Sequence, residues 1–250
     1  LHPEDARLIR SEMEHLVCEQ AYDKIVAKIP SALEFDFQEC GYAREAVIPE
    51  YFGQGEHAIY MAKYFSAERE KRVDQEKVQE VLALALERGQ QSESRASDVA
   101  VNVCGLGDIP EMIALYKAVF ETYPFPIFDA NFLAETIQKR YAQYFCIRRQ
   151  GRMVALAASE MDWSNQGVEM TDFATLPECR GQGIAGCLLG EMEKAMRQEG
   201  MHTAFSIARA LSLAMNTLFS RRGYTYGGTL VNNTNIAREI ESMHVWYKSL

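Results

Sequence analysis

The sequence predicts an α+β fold: an α/β/α sandwich on a mixed, mostly antiparallel sheet, with a smaller α/β domain ahead of it. Three observations lead there. Residues 98 to 250 read in the order β-α-α-β-β-β-α-β-α-β-β. A glycine-rich junction, Arg180-Gly-Gln-Gly-Ile-Ala185-Gly186, joins a strand to a helix on which Ile184, Leu188, Met192 and Met196 recur every fourth residue. The first 65 residues carry strand and helix candidates of their own.

Taken in order, residues 3 to 22 place Leu8, Ile9, Met13, Leu16 and Val17 on one stripe and predict a helix. Lys24 to Lys28 is a short strand, and Leu33 to Cys40 a helix stopped by Gly41. Ala46 to Ile48 and Ala58 to Phe65 read as strands on either side of the Pro/Gly-containing loop Pro49 to Gly55. From Ser66 to about Arg88 the chain turns charged and helical, with Val78, Val81, Leu82, Ala85 and Leu86 as a narrow apolar stripe. Gly89 to Ser97 is small and polar, a linker. The expected division is 1–65, an N-terminal α/β domain; 66–97, a helical connector and linker; and 98–250, the main domain.

In the main domain Val99 to Val103 alternates as a strand. Ile109 to Glu121 is a helix, followed by the turn Thr122-Tyr-Pro-Phe-Pro126 and a second helix from Asp129. Tyr144 to Arg149 and Met153 to Asp162 form a hairpin about Gln150-Gly151. The strand Val168 to Leu176 runs into the glycine loop, and its helix continues to about Glu199. Thr203 to Ala208, a helix from Leu211 to Arg222, and the strands Thr225 to Val231 and Met243 to Lys248 complete the order.

The helix after the glycines opens with no Asp or Glu in its first turn and no Ser or Asp cap. Its free N–H groups and positive dipole end are thus without a local partner, and Arg180 adds a full charge beside them. Such a site suits a phosphate or pyrophosphate. Gly181-Gln-Gly183-Ile-Ala-Gly186 also satisfies G-x-G-x-x-G, but a dinucleotide site needs an acid about 20 residues on, at the end of the next strand. That strand ends in Arg209 and holds no acid. The dinucleotide fold is excluded.

Arg180-x-x-Gly183-x-Ala185, after a strand ending in Leu176-Pro177, resembles the acyl-CoA-binding loop of the GCN5-related N-acetyltransferases (GNAT). The element order of residues 98 to 250 is also that of the family's fold. The resemblance implies acetyl-CoA as cofactor. Its pyrophosphate would lie on the amides of Arg180, Gly181, Gln182, Gly183, Ile184 and Ala185, and its pantetheine arm along Phe173, Ala174 and Thr175. Asn216 and Phe219 are assigned to the same cofactor. The blocks Val231-Asn-Asn-Thr-Asn-Ile-Ala and Glu241-Ser-Met-His-Val-Trp-Tyr-Lys248, with Lys24-Ile-Val-Ala-Lys-Ile-Pro30, Gly41-Tyr42 and Ile48-Pro49, narrow the likeness to the β-lysine Nε-acetyltransferases. That implies acetylation of the terminal amine of β-lysine and a product accumulated as an osmolyte under salt stress.

A weak internal repeat accompanies this likeness. Phe37-Gln-Glu-Cys-Gly41-Tyr42 echoes Phe219-Ser-Arg-Arg-Gly223-Tyr224, and Met61 and Met243 follow their glycines at the same interval. The first 65 residues thus read as a degenerate second half of the GNAT fold without the phosphate loop, assigned to substrate shaping or to assembly as a homodimer.

Acetyl transfer needs a neutral amine, and a lysine-type ammonium of pKa about 10.4 is neutral in roughly one molecule in 10³ at pH 7. The site must therefore attract a cation and remove its proton. Glu160, Asp162, Glu169 and Asp172 are the candidate carboxylates, with Glu160, Glu169 and Asp172 taken as catalytic. Strict alternation puts Glu169 and Asp172 on opposite faces of their strand. Amides near Phe173 and Ala174 could polarise the thioester carbonyl. The Tyr that many relatives use to protonate the thiolate is Phe219 here, so Tyr224 is taken as the acid, with Tyr226, Ser212 and Asn216 as substitutes. A thiolate of pKa about 8.5 can also leave unassisted. The acceptor's carboxylate is assigned to Arg209, its polar groups to Asn232 and Asn233, and its alkyl chain to Tyr123 and Phe125.

Composition limits the alternatives. With 48% apolar and 24% charged residues the chain is globular, and a net charge of −9 argues against nucleic-acid and anionic-membrane surfaces. No apolar run approaches 18 residues and no signal-peptide pattern opens the sequence, which leads to a cytoplasmic expectation. Six scattered cysteines read as reduced thiols, and the five histidines have no metal-ligand spacing, so no metal is expected. The remaining readings are a GNAT enzyme for another amine (a polyamine, lysine or protein lysine) and a non-catalytic acyl-CoA-binding regulatory module.

Overall fold

Ten strands join in one sheet, in the order β1-β3-β2-β9-β10-β8-β7-β6-β5-β4, in a computed structural model describing residues 3–71, 74–91, 99–236 and 239–250. In chain order the elements are α1 (Pro3–Gln20), β1 (Lys24–Pro30), α2 (Glu34–Gln38), β2 (Ala43–Ile48), β3 (Ala58–Tyr64), α3 (Ala67–Glu70) and α4 (Gln75–Gly89). There follow β4 (Val101–Val103), α5 (Ile109–Val119), α6 (Ala130–Gln138), β5 (Ala142–Arg149), β6 (Arg152–Asp162) and β7 (Gly167–Thr175). The chain ends with α7 (Ile184–Gln198), β8 (Thr203–Arg209), α8 (Leu213–Arg221), β9 (Thr225–Ile236) and β10 (Glu239–Ser249). The expected linker falls largely on 92–98 and the expected boundary at 97/98, outside the described residues. No described helix is long and apolar enough to cross a membrane.

The central strands follow the alternation of their residues. Gln150 and Gly151, at φ 51° and 78°, make the left-handed turn that closes the β5–β6 hairpin. Among the described strands only β7 and β8 run parallel, and they pair just over Gly167↔Thr203, Val168↔Ala204 and Glu169↔Phe205. Beyond Glu169 the two strands part. On its other side β7 carries a bulge against β6, where the register shifts between Leu156 and Ala158, and Asp172 within it sits at φ 57°.

Behind these strands α7 buries Ile184, Leu188, Met192 and Met196, the stripe its sequence displays. α1 differs from expectation. Leu8, Ile9 and Leu16 are exposed, and the helix instead packs through Ala6, Met13 and Val17. These three lie at i, i+7 and i+11, almost one line along the helix, and a helix resting on a sheet edge buries only such a line. The stretch from Ser66 divides into α3 and α4, because Lys71 is extended and Asp74 is left-handed at φ 59°.

The first three strands extend the main sheet through one antiparallel bridge, Ala46↔Gly228 of β2 and β9. A Cβ on Gly228 would lie 2.2 Å from the Glu45 carbonyl oxygen, so this approach requires glycine. Ala46, Ile48, Tyr51, Ala58 and Tyr60 share one core with Phe205, Leu230, Met243 and Val245. Burying those faces together holds the two halves as one body. Lys24, its ammonium buried, ties them further: it pairs with Glu45 at 2.8 Å and donates to the Val231 carbonyl at 2.6 Å.

The echo between Gly41-Tyr42 and Gly223-Tyr224 has a geometric counterpart. Both glycines are left-handed, at φ 81° and 78°. The amides of Tyr42 and Tyr224 donate to the carbonyls of Phe37 and Phe219 at 3.1 and 3.0 Å. Each Phe–Tyr pair stacks edge to face, at 5.0 and 5.2 Å between centroids. One helix earlier, Tyr22 donates to Val17 as Met201 does to Met196. The order α1-β1-α2-β2-β3 thus repeats as α7-β8-α8-β9-β10, with β2 and β9 meeting at the join.

Candidate active site

The cleft opens where β7 and β8 part. Glu160 and Glu169 are Cα partners across β6 and β7, so their side chains stand on the same face at the head of the opening. Burial pushes Glu169 up to about 8, with the charges of Glu160 and then Asp172 adding to the rise and Lys28 opposing it. Glu160 rises to about 7, first from desolvation and then from Asp172. Glu160 is open to solvent, which screens its shift, so Glu169 is the stronger candidate base.

Asp172 stands where β7 leaves the regular alternation that separates it from Glu169 in the sequence. The left-handed bulge at Asp172 breaks the period of two, and its charge acts on both glutamates. Its carboxylate is buried, which raises its pKa; Tyr123, donating at 2.6 Å, and then Thr171, at 3.3 Å, stabilise the ionised form and oppose the rise. Tyr123 thereby ties the loop between α5 and α6 to β7, whereas Phe125 of that loop projects into solvent.

At the other end of β7 lies the glycine loop. Gly181 and Gly183 are left-handed, at φ 73° and 72°, and a Cβ on Gly181 would meet nothing within 4 Å. Among the described residues, the amides of Gly181 to Ala185 donate to no group of the chain. The Arg180 guanidinium donates to the Thr175 carbonyl at 3.1 Å, at the end of β7 beside the loop, and Gln182 accepts from Arg149 at 2.7 Å. Ile184 is buried, so it can serve a ligand only through its amide. An uncapped helix start with open amides and an adjacent arginine fits a pyrophosphate. The edges of Phe173, Ala174 and Thr175, unpaired toward β8, offer backbone groups to an extended arm.

Other expected residues are placed differently. Asn216 is fully buried, donating to the carbonyls of Arg209, Ala210 and Ser212 and accepting from Trp246 at 2.8 Å. It knits α8 to β10, and no capacity of its amide faces the cleft. Phe219 packs edge-on against Phe173, at 5.9 Å between centroids, below the cleft floor. The Tyr224 hydroxyl is buried beside Glu193 without a well-formed hydrogen bond, and burial and that carboxylate both push its pKa up. The charged groups that act on it are Glu193, Arg222 and Arg197 and not Glu160, Glu169 or Asp172, and a phenol so raised is a poor proton donor.

Arg209 forms a two-point pair with Glu241, at 2.8 and 2.5 Å. Asn232, left-handed at φ 46°, donates to the carbonyls of Arg69 and Lys71, while Asn233 lies within 3.4 Å of the Lys24 ammonium. These side chains join β9 to the N-terminal half, because β9 lies next to β2 in the sheet.

Three residues that sequence reasoning missed reach the cleft from that half. The Tyr51 hydroxyl donates to Asp162 at 2.9 Å, its ring filling the space over Gly167, where a Cβ would lie 2.5 Å away. Lys28 donates to the Tyr51 hydroxyl at 3.1 Å, and Tyr60, its Cα partner on β3, is buried within range of the Glu169 charge. Nothing local marks them. The core that Tyr51 and Tyr60 share with Phe205 of β8 and with β9 and β10 brings them there.

Comparison with known proteins agrees with this geometry. Residues 109–224 match the model of the acetyltransferase (GNAT) family. The chain is 36% identical over 234 residues to a β-lysine N(6)-acetyltransferase of Methanococcus maripaludis, covering 93% of this chain and 85% of that one. It is 31% identical to the N-acetyltransferase YodP of Bacillus subtilis over 84% of this chain and 76% of that one, and 28% identical to a Methanosarcina mazei β-lysine N(6)-acetyltransferase over 91% of each. The fold of a ribosomal-protein-alanine N-acetyltransferase from Brucella melitensis superposes with a TM-score of 0.54 at 20% identity, covering 61% of this chain and all of that one. With the loop, the parted strands and these relatives together, the chain belongs to the GNAT family and is an acetyl-CoA-dependent N-acetyltransferase.

Proposed function

We propose that the chain acetylates the terminal amine of β-lysine, forming Nε-acetyl-β-lysine as an osmolyte, by direct attack within a ternary complex. The observation that carries this reading is 36% identity across 93% of the chain to a β-lysine N(6)-acetyltransferase. The acid cluster supports it, since four carboxylates (Glu160, Asp162, Glu169 and Asp172) attract a dicationic acceptor.

Bound acetyl-CoA supplies an activated acetyl thioester. Glu169 receives the ammonium proton, its raised pKa matching it to a base working near neutrality, and Glu160 passes that proton to solvent. Amides of Phe173 and Ala174 face the opening and polarise the carbonyl. Phe219 has no proton to give and Tyr224 faces Glu193, so the thiolate, with a pKa of about 8.5, departs without either of them. Residues 1–65 act as a degenerate copy of the β8–β10 half that has become the far wall of the acceptor site.

Thiol release from acetyl-CoA, measured separately with β-lysine, α-lysine, a polyamine and a lysine peptide, tests this reading. Turnover favouring β-lysine is the expected result. Turnover best on the peptide or the polyamine replaces the acceptor and leaves the family intact.

A further inference from the structure

We infer that Lys28, on β1 of the N-terminal half, anchors the carboxylate of the acceptor, with Tyr51 and Tyr60 walling the pocket beside it. This rests on the acceptor being an amino acid, as proposed above, and names the residue that reads the end of the molecule remote from the reaction.

The geometry brings Lys28 to the right place. Its ammonium lies 4.2 Å from the centroid of the Tyr51 ring and 5.3 Å from that of Phe205. Phe205 is the Cα partner of Glu169, the candidate base. A cation from the first domain thus stands one strand away from the carboxylate that receives the proton. The Tyr51 hydroxyl, which accepts from Lys28, fixes the ammonium, and Asp162 in turn fixes the hydroxyl.

Lys28 has capacity left for a ligand. An ammonium has three donors, and one goes to Tyr51. Among the described residues no carboxylate lies within ion-pairing distance of it, in a chain whose acids outnumber its Lys and Arg by 35 to 26. Asp162, the nearest acid in this chain of contacts, accepts from Tyr51 and from the Asn165 side chain at 2.7 Å. Partial burial lowers the pKa of Lys28, and an incoming carboxylate would offset that cost. Arg209, the other candidate for this role, already has both forks on Glu241.

The chemistry of the acceptor supplies the reason for a cation here. Four acids alone would bind a polyamine at least as well as an amino acid. A lysine at the far end repels a second or third ammonium and attracts a carboxylate, so it selects between two classes of amine by charge.

The test compares β-lysine with 1,4-diaminopentane, the same skeleton without the carboxylate, on the full chain and on K28Q, K28E and K28R. With K28Q the KM for β-lysine should rise about ten- to hundredfold, the range of a charge-assisted hydrogen bond. The KM for the diamine should fall, K28E should prefer the diamine outright, and K28R should recover part of the β-lysine selectivity. A gain on the diamine cannot come from a misfolded enzyme. K28Q losing equally on both acceptors, or a selectivity change produced by R209Q and not by K28Q, overturns the anchor. Wild-type protein that ignores β-lysine overturns the acceptor reading itself, and the anchor with it.

Discussion

Glu160 and Glu169 face each other as Cα partners across β6 and β7, two carboxyls at the head of the cleft where β7 leaves β8. Burial first, and then the charge of Asp172 on both and of Glu160 on Glu169, disfavours their ionised forms, so the pair keeps a proton that isolated glutamates would have lost. The pair is therefore ready to exchange protons near neutral pH.

Catalysis should follow that titration. kcat/KM for the amine is expected to rise with pH through an apparent pKa between about 7 and about 8, belonging to the pair. E169Q should lower kcat by about 10²- to 10⁴-fold and flatten the profile. A profile of E169Q that keeps the wild-type inflection moves the base to Glu160.

Stability should follow the same groups with a definite sign. Both carboxyls have folded pKa values above the ordinary glutamate value of about 4.3. Between that value and about 8 the folded state binds more protons than the unfolded state, so stability falls as pH rises. The melting temperature of E169Q relative to wild type should increase from pH 5 to pH 9. A constant difference between the two proteins would show that Glu169 is not perturbed.

Y123F removes the 2.6 Å hydrogen bond to buried Asp172 and leaves that carboxylate, among the described residues, its contact with Thr171. Urea denaturation should show a loss of about 1.5–3 kcal/mol, the usual worth of a hydrogen bond to a charged group. A variant as stable as wild type would mean that water replaces the phenol.

Q182E should separate stability from cofactor affinity. A carboxylate at the open start of α7 interacts favourably with the helix dipole and with Arg149, which already contacts Gln182. The gain is about 0.3–1 kcal/mol. The same charge repels a pyrophosphate, so the KM for acetyl-CoA should rise severalfold. A lower KM would place the pyrophosphate elsewhere.

The join between the halves can be tested at Lys24. Its side chain and that of Glu45 are only 2% and 6% exposed. K24M leaves a buried carboxylate without its cation and should cost about 3–5 kcal/mol in urea denaturation. K24M/E45Q should cost less, because glutamine still accepts from the Tyr64 hydroxyl and the Val231 amide. Equal losses in the two variants would show that the charge pair does not matter.

What the sequence determined by itself was local. Periodicity placed the buried stripe of α7 and the β5–β6 hairpin, and the glycines at 181 and 183 with an acid-free first turn marked the candidate anion site. These features depend on residues within one or two turns of each other, so they are legible in a single chain. The motif around Arg180 carried the family, and the blocks at both ends of the chain narrowed it. Tertiary structure decided the rest. The bulge at Asp172 interrupts the alternation of β7, because an added residue shifts the period of two, and the charge of Asp172 acts on both glutamates. Asn216, Arg209, Asn232 and Asn233 carry side chains suited to ligands, yet neighbours distant in sequence occupy them. Lys28 and Tyr51 reach the cleft only because β2 joins β9 and the shared core draws the first strands over β8. Charge and periodicity are properties of a segment. Which partner a polar group finds depends on how distant segments are folded together.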